Sequence, residues 1–549
     1  MTLTSWLLVI LVMQGVHFLG TWKLYQKAGR KSWEAIVPIY NAIVLLQIIN
    51  RPKWWVILLF IPVINLIMFP VIWVETARSF GRNSTVDTIL SIISLGFYSF
   101  YINYALEVEH IKDRSLTPKS EVGEWISSIL FAIVAATLVH TYVMQPYTIP
   151  TSSLEKSLLV GDFLFVSKFH YGAKTPTSVI AAPMVHDTLP FIKTKSYVYN
   201  DNPKNKNSFL NKFQLPYFRF PGFQKIKRND IVVFNWPADT VRQFFKHDRK
   251  YAKPIDKKSN YVKRCVAIAG DSLEIRDGYI YINGEHSEMP ERAKPQFYYT
   301  VDTDGKNMSD NMLYNTYEVR RGEAKTAFQE YVLPIYYEKQ LYDKFGKDYI
   351  KNRKYVLNLD EKNAAKLKSN KQIKSVVRNI EPKGNAEAVF PSIKMNWNRD
   401  NMGPIYIPEE GKTVNLDLNS LEFYKKIITE YEHNSLKVEG ENIYINDEIV
   451  TSYTFKQNYY WMMGDNRHNS EDSRYWGYVP FDHVVGKPVF VWFSWNTYGK
   501  DFMDKIRWER LFTTVHGEGP LKSYFHHFLF LILVYIGYKQ YKKKNKKIL

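Results

Sequence analysis

Asn260-Tyr-Val-Lys-Arg-Cys-Val-Ala-Ile-Ala-Gly-Asp271 is the stretch on which the fold turns. Branched and aromatic residues alternate along it and a Gly-Asp reversal ends it, which reads as a β-strand. The alternation places Lys263 on a strand otherwise occupied largely by apolar residues. A lysine facing a β core loses hydration; this disfavours the charged form and lowers the pKa from about 10.4 toward a range where the amine can accept a proton. Arg264 would push the same way if its charge lay near. A solvent-facing Lys-Arg pair on an edge strand is the ordinary alternative for such a pair taken alone.

Similar runs flank it. Asp230-Ile-Val-Val-Phe-Asn235 and Tyr279-Ile-Tyr-Ile282 are short and rich in β-formers, so this part of the chain reads as mainly β. Two segments repeat without gaps, Leu273-Glu-Ile-Arg-Asp-Gly-Tyr-Ile-Tyr-Ile-Asn-Gly-Glu285 and Leu436-Lys-Val-Glu-Gly-Glu-Asn-Ile-Tyr-Ile-Asn-Asp-Glu448. Each reads as a β-hairpin, the first with an Asn-Gly reversal. The Lys- and Asn-rich residues 286–435 between them read as an inserted subdomain.

The rest of the 549-residue chain is not of one kind. Apolar residues make up 46% and aromatics 16%, yet 23% are charged, which suits membrane spans joined to a large water-exposed body. Residues 6–19, 54–74, 89–106, 125–144 and 525–538 are the expected spans. Trp54, Trp55 and Trp125 sit at span edges, where interfacial aromatics belong. The first stretch lacks a preceding basic residue and a following small-x-small site; Lys23, Lys27, Arg30 and Lys31 come after it. It therefore reads as a retained helix with its N-terminus outside rather than a cleaved leader. Residues 32–50 are apolar but interrupted and are expected at the interface. Five crossings put Lys112, Arg114 and Lys119 inside, residues 145–524 outside, and the terminal lysines inside, in accord with the charge bias.

The net charge of +19 does not point to nucleic acid. Its clearest run, Lys539, Lys542, Lys543, Lys544, Lys546 and Lys547, follows an apolar stretch as a cytoplasmic flank does, and no zinc-finger, helix-turn-helix or RNP-like pattern accompanies it. The single cysteine, Cys265, excludes an intramolecular disulfide framework and a Cys-rich metal site.

Just beyond the fourth stretch stands Tyr147-Thr-Ile-Pro-Thr-Ser-Ser-Leu-Glu-Lys-Ser-Leu-Leu-Val-Gly-Asp162. A serine there can reach a peptide bond lying just beyond a substrate's own apolar helix; a polar juxtamembrane turn is the bland reading. Far downstream comes Gly464-Asp-Asn-Arg-His-Asn-Ser-Glu-Asp-Ser-Arg474, dense in short polar residues between Tyr460-Trp-Met-Met463 and Tyr475-Trp-Gly-Tyr-Val479. Such a loop needs its side chains to satisfy its own backbone.

In this order the segments resemble the sequence boxes of type I signal peptidases, the bacterial leader peptidases with a Ser/Lys dyad. The serine box falls at 149–158, a strand box at Arg228-Asn-Asp-Ile-Val-Val-Phe234, the lysine box at 261–271 and the last box at 464–474. The resemblance implies Ser153 as nucleophile, Lys263 as general base and Ser470 as the hydroxyl that orients the lysine. The Ser153 N–H and the Thr151 hydroxyl match the oxyanion donors. Tyr147, Ile149, Pro150, Leu154, Leu158, Tyr261 and Val262 match substrate-pocket walls that accept small side chains, and Asp472 with Arg474 a structural ion pair. The family's Ser-Gly-Ser-Met-x-Pro-Thr-Leu appears here as Thr151-Ser-Ser-Leu-Glu-Lys-Ser-Leu158, so the turn is less constrained.

The implied protein is a signal-peptidase-type β fold, a mainly β soluble catalytic domain anchored by α-helical transmembrane segments. A membrane region of about three spans is expected over 1–122 and a fourth span at 123–145. The extracytoplasmic catalytic domain covers 146–285 and 436–500, the insert 286–435, and a last span with a basic cytoplasmic tail 524–549. Such a serine endopeptidase of the bacterial cytoplasmic membrane removes signal peptides from exported precursors after small residues. Its expected partners are precursor proteins with signal peptides, the lipid bilayer and the protein-export machinery, with no nucleic acid, metal or cofactor.

Three other readings compete. Ser153-Leu-Glu-Lys156 with Ser309-Asp-Asn311 matches penicillin-binding enzymes, but Gly161-Asp162 and Phe163-Leu-Phe-Val166 follow too soon for the long helix that S-x-x-K needs, and no Lys-Thr-Gly occurs. Gly270-Asp-Ser-Leu273 mimics an esterase signature and His468 a triad base, yet no Asp-x-x-His follows near the C-terminus and no Gly-x-Ser-x-Gly elbow exists. A non-catalytic membrane scaffold that binds exported chains would not need Ser153, Lys263 and Ser470 together.

Overall fold

A computed structural model describes residues 3–118, 120–205, 208–241, 249–306, 308–309, 311–319, 354–497, 499 and 501–545. Lys119, Asp310, Lys546, Lys547 and residues 320–353 of the expected insert lie outside the described residues. The chain forms two compact units, one made of Met1–Gln145, Gly172–Gly222 and Asp239–Ser259, the other of Pro146–Tyr171, Phe223–Ala238 and Asn260–Leu549.

The first unit is helical where its sequence is apolar. Thr4–Lys27 and Glu121–Val143 are long and apolar enough to cross a membrane. At 1.5 Å per residue each rises about 35 Å, against a hydrocarbon core of about 30 Å. The second starts at a capped end, where the Ser120 hydroxyl accepts from the Gly123 N–H and Glu121 and Glu124 lie in the first turn, favourable to the helix dipole.

The other expected spans are corrected. Residues 54–74 form two helices, Trp55–Phe60 and Asn65–Ser79. Ile61 precedes a proline, which disfavours helical backbone; it is extended, and Val63 has a φ of 70°. In residues 89–106, helices Thr85–Ile93 and Tyr98–Tyr104 meet at 118°. The chain reverses at Leu95 and Gly96, both at positive φ, and the Trp73 indole stands 2.6 Å from where a Cβ at position 96 would be. Residues 525–538 lie in helix Phe525–Asn545, whose later turns carry lysines. An apolar stretch of that length rises about 21 Å, short of the core. Among the described residues, two helices are long and apolar enough to span, or three if the bent pair counts as one.

The second unit is mostly β. Its main sheet has the order Met144–Thr148, Asp162–Ser167, Val484–Ser494, Ile231–Asn235, Asn260–Ala267, Tyr459–Met463, Val479–Pro480, with Thr513–Thr514 paired to Val484–Ser494. The strand carrying Lys263 is interior to this sheet. It pairs antiparallel with Ile231–Asn235, Val232 opposite Lys263, and with Tyr459–Met463, Met463 opposite Arg264. Lys263 and Arg264 are each 3% exposed, because both faces of this strand are covered. The edge-strand alternative therefore does not hold.

The two sequence repeats fold alike. Leu273 pairs with Ile282 and Leu436 with Ile445, and a third short strand follows each hairpin, Glu285–His286 and Glu448–Val450. Asp277-Gly278 closes the first hairpin, and Asn283-Gly284 turns its second strand into the third; all four residues have positive φ. Both repeats bury Ile280, Ile282, Ile443 and Ile445 in one core with Trp461, Phe455 and Tyr478.

The described part of the insert does not lie apart from this body. Its strand Met402–Tyr406 pairs with Ser272–Arg276. Its strand Gln296–Asp302, flanked by Lys354–Asp360 and Ser375–Arg378, touches the polar loop after Met463, where Gln296 N–H donates to Asp465 O and Arg467 N–H to Gln296 O.

Candidate active site

Four pieces of chain converge in the second unit. The serine turn supplies the first. After the extended residue Thr151, Ser152–Leu154 form a 3₁₀ turn, with Ser153 and Leu154 buried. Leu154 packs under the turn with Ile149, Leu158, Leu164, Ile231, Val491 and Val515, so the hydroxyl of Ser153 is held on an apolar floor. Its N–H has no acceptor among the described residues.

The lysine strand brings the second group. Lys263 Nζ lies 2.5 Å from Ser153 Oγ, although the residues are 110 positions apart in sequence. Burial drives the Lys263 pKa down to about 8; Asp472 pulls it back up, Arg474 pushes it down, and Glu471 and Asp465 raise it. The ring of Tyr261, two residues along the same strand face, lies 5.5 Å from the ammonium nitrogen. Arg264 points elsewhere and does not act as expected on the lysine. Its guanidinium forks onto Asp465 at 2.8 and 2.6 Å, both side chains buried, so its charge is neutralised locally.

The polar loop is the third piece, and it grips the serine turn. Asn466 N–H donates to Ser153 O at 3.1 Å, Asn466 Nδ2 to Ser152 O at 3.1 Å, and Asn469 Nδ2 to Ser152 Oγ at 3.0 Å. Gly464 permits the approach: a Cβ there would lie 2.3 Å from Ser470 Oγ and 2.5 Å from Ser153 O. Ser470 is buried and its hydroxyl has no hydrogen-bond partner among the described residues. Asp472 and Arg474 form a fork at 2.8 and 2.9 Å, both side chains within 1% of complete burial. Asp472 also accepts from Gly464 N–H and Arg474 donates to Arg467 O, so the pair ties both ends of the loop.

The fourth piece comes from the insert. Lys156, at φ 66° in the serine turn, places its ammonium 2.7 Å from Asp360 and away from Ser153. Asn358 Nδ2 donates to Asn466 Oδ1 at 2.6 Å, and Gln296 Nε2 to Glu155 O at 2.5 Å. His468 is occupied as well. Its Nδ1 accepts from Tyr298 N–H, which leaves the hydrogen on Nε2, 2.9 Å from Asp400. The insert thus reaches the serine turn and the polar loop.

The remaining sequence-selected positions separate by exposure. Pro150 and Thr151 are exposed, and Tyr147, Tyr261 and Val262 half-buried. Tyr147 and Val262 lie against Val166, Val233 and Val485, and Tyr261 stacks on Trp236 at 5.0 Å. Ile149, Leu154 and Leu158 keep at most 3% of their surface. Asp271 of the esterase-like tetrapeptide accepts from Arg228 and from Ile268 N–H, so that segment is a turn.

Sequence reading missed Asn466, Asn469, the Arg264–Asp465 pair and the insert residues. The loop's density of amide side chains was the signal for the first two. Nothing in the sequence marked Gln296, Asn358 or Asp360.

Comparison with known proteins identifies the family. Residues 122–324 and 405–495 match the sequence model of a family described as "Signal peptidase, peptidase S26". Residues 33–113 match a family of unknown function. Signal peptidase I of Buchnera aphidicola subsp. Acyrthosiphon pisum is 22% identical over 455 residues, 78% of this chain and 97% of that protein. The one from Buchnera aphidicola subsp. Schizaphis graminum is 22% identical over 395 residues, 70% of this chain and 80% of its own length. Signal peptidase I of Helicobacter pylori (strain ATCC 700392 / 26695) is 25% identical over 409 residues, 72% and 94%.

Proposed function

Because the chain belongs to the signal peptidase family, peptidase S26, and is a membrane-anchored hydrolase of that family, we propose that it cleaves signal peptides from exported precursors with Ser153 as nucleophile and Lys263 as general base. The observation that carries the reading is the 2.5 Å contact between a buried lysine amine and a buried serine hydroxyl. With a pKa of about 8, roughly a quarter of Lys263 is neutral at pH 7.5, against about 0.1% for its ordinary value of 10.5. The neutral amine takes the Ser153 proton as Oγ attacks the scissile carbonyl. It then returns the proton to the leaving amine, and water hydrolyses the acyl-enzyme.

The Ser153 N–H and the Thr151 hydroxyl are the proposed oxyanion donors. Tyr147, Ile149, Pro150, Tyr261 and Val262, over the floor of Leu154 and Leu158, form the proposed pocket for small side chains. Ser470, buried beside Gly464, is proposed to orient Lys263, and Asp472 with Arg474 to hold the loop that carries it. The reaction face is proposed to lie on the extracytoplasmic side of the bacterial cytoplasmic membrane, with precursors as substrates and the export machinery as neighbour. The S-x-x-K reading is disfavoured by the placement of Lys156 against Asp360.

The test is cleavage of a precursor bearing a small-x-small site by the full-length protein in detergent micelles, with the new N-terminus read by mass spectrometry. Wild type and Lys156→Met cut the bond, Lys156→Met more slowly, whereas Ser153→Ala and Lys263→Ala do not. Cleavage by Ser153→Ala would overturn the assignment.

A further inference from the structure

Alternation along the insert strand Lys354–Asp360 puts Asn358 and Asp360 on one face, both buried, and this face meets the serine turn and the polar loop. Asp360 pairs with the buried ammonium of Lys156, three residues after Ser153. Asn358 donates to Asn466 Oδ1, and the same amide's Nδ2 donates to the carbonyl of Ser152, one residue before Ser153. From the opposing strand, Gln296 donates to the carbonyl of Glu155. The backbone on both sides of Ser153 is therefore tied to the insert by three side chains.

Resting on the reading of Ser153 as nucleophile, we propose that Asn358 and Asp360 are positioning residues, which make the insert a brace that sets the aim of the Ser153 hydroxyl. The serine turn needs one. Lys156 sits there in left-handed backbone, and Thr151-Ser-Ser-Leu-Glu-Lys-Ser-Leu158 contains neither glycine nor proline to hold the turn by itself. Its geometry is imposed from outside, and the insert's share runs through the ion pairs of Lys156 with Asp360 at 2.7 Å and with the more exposed Glu318 at 3.8 Å, the Asn358–Asn466 amide bridge and Gln296. An offset of about 1 Å at the attacking atom costs on the order of 100-fold in rate. The brace bears on kcat rather than on substrate affinity, since among the described residues Asn358 and Asp360 hydrogen-bond to Asn466, Lys156 and Asn363 and to none of the proposed pocket residues.

The test uses the full chain in micelles and reads kcat, KM, the pH midpoint and the melting temperature for Asp360→Asn, Asn358→Leu, and Lys156→Met combined with Asp360→Leu. Asp360→Asn should lower kcat roughly 10- to 100-fold, with KM within about twofold and the midpoint still near 8, because the surroundings of Lys263 are untouched. The double variant removes both buried charges and should regain melting temperature while kcat stays low. Asn358→Leu breaks the amide bridge without stranding a charge, and decides the matter if Asp360→Asn fails to fold; its kcat should fall about tenfold. Recovery of kcat together with melting temperature in the double variant would reduce the brace to a stability element and overturn the proposal, as would full kcat in folded Asn358→Leu. Ser153→Ala is the control: if it still cleaves, the nucleophile is wrong, whereas an inert Ser153→Ala beside fully active brace variants refutes the brace alone.

Discussion

With Lys263 as the proposed general base, one feature, its burial, is expected to set both rate and stability. With a pKa near 8, its neutral share is about 1% at pH 6 and one half at pH 8. Single-turnover cleavage should therefore rise about fifty-fold between those values and less than twofold beyond. The sign for stability follows from linkage. The unfolded chain holds the lysine proton up to its ordinary 10.5 and the folded chain only up to about 8. Between these values the unfolded state binds more protons, so stability rises with pH across that window. Below pH 8 the fold carries a buried ammonium, a cost of about 3 kcal/mol from the gap between the two values. Lys263→Met removes that charge at similar volume. It should abolish cleavage while raising the unfolding midpoint at pH 7, the usual opposition between an active site and stability. Lys263→Arg should be inactive, since guanidinium stays charged. The assays are quenched-flow cleavage of a precursor and thermal melting in the same micelles. A rate profile centred near 6.5, or an active Lys263→Arg, would refute the reasoning.

Asp472 is the leading charge that raises the Lys263 pKa, so in Asp472→Asn the rate midpoint should move below that of wild type in the same pH series. That variant also strands the buried Arg474 and should lose about 3–5 kcal/mol in a denaturant titration. Gly464→Ala would drive a Cβ into the Ser153 carbonyl, a backbone atom with no freedom to yield; kcat should fall at least tenfold with KM little changed. Arg264→Ala leaves Asp465 buried without its fork and should cost about 3–5 kcal/mol, read as a lowered melting temperature.

Much of this molecule was legible one residue at a time. The mainly β body follows from period-two runs such as Asp230–Asn235, and the repeated hairpins from a recurring pattern of apolar positions and turn residues. These are local signals, carried by backbone preference and side-chain burial. The membrane segments were legible only in part. Composition marks five apolar stretches, but composition is blind to where a helix stops; Pro62 breaks one and the Leu95-Gly96 reversal another. By itself the sequence determined which chemistry was available: a serine beside a span, a lysine in an apolar strand, and an amide-rich loop between aromatic strands. Only the tertiary structure decided which groups meet. Ser153 and Lys263 come together because the serine turn, the lysine strand and the loop from Gly464 close on one point of the sheet. The same folding sends Lys156 to Asp360, 204 positions away, and Asn358 to the loop. Contacts over such separations depend on how strands pair and which face turns inward, and no local pattern encodes a partner that many residues distant.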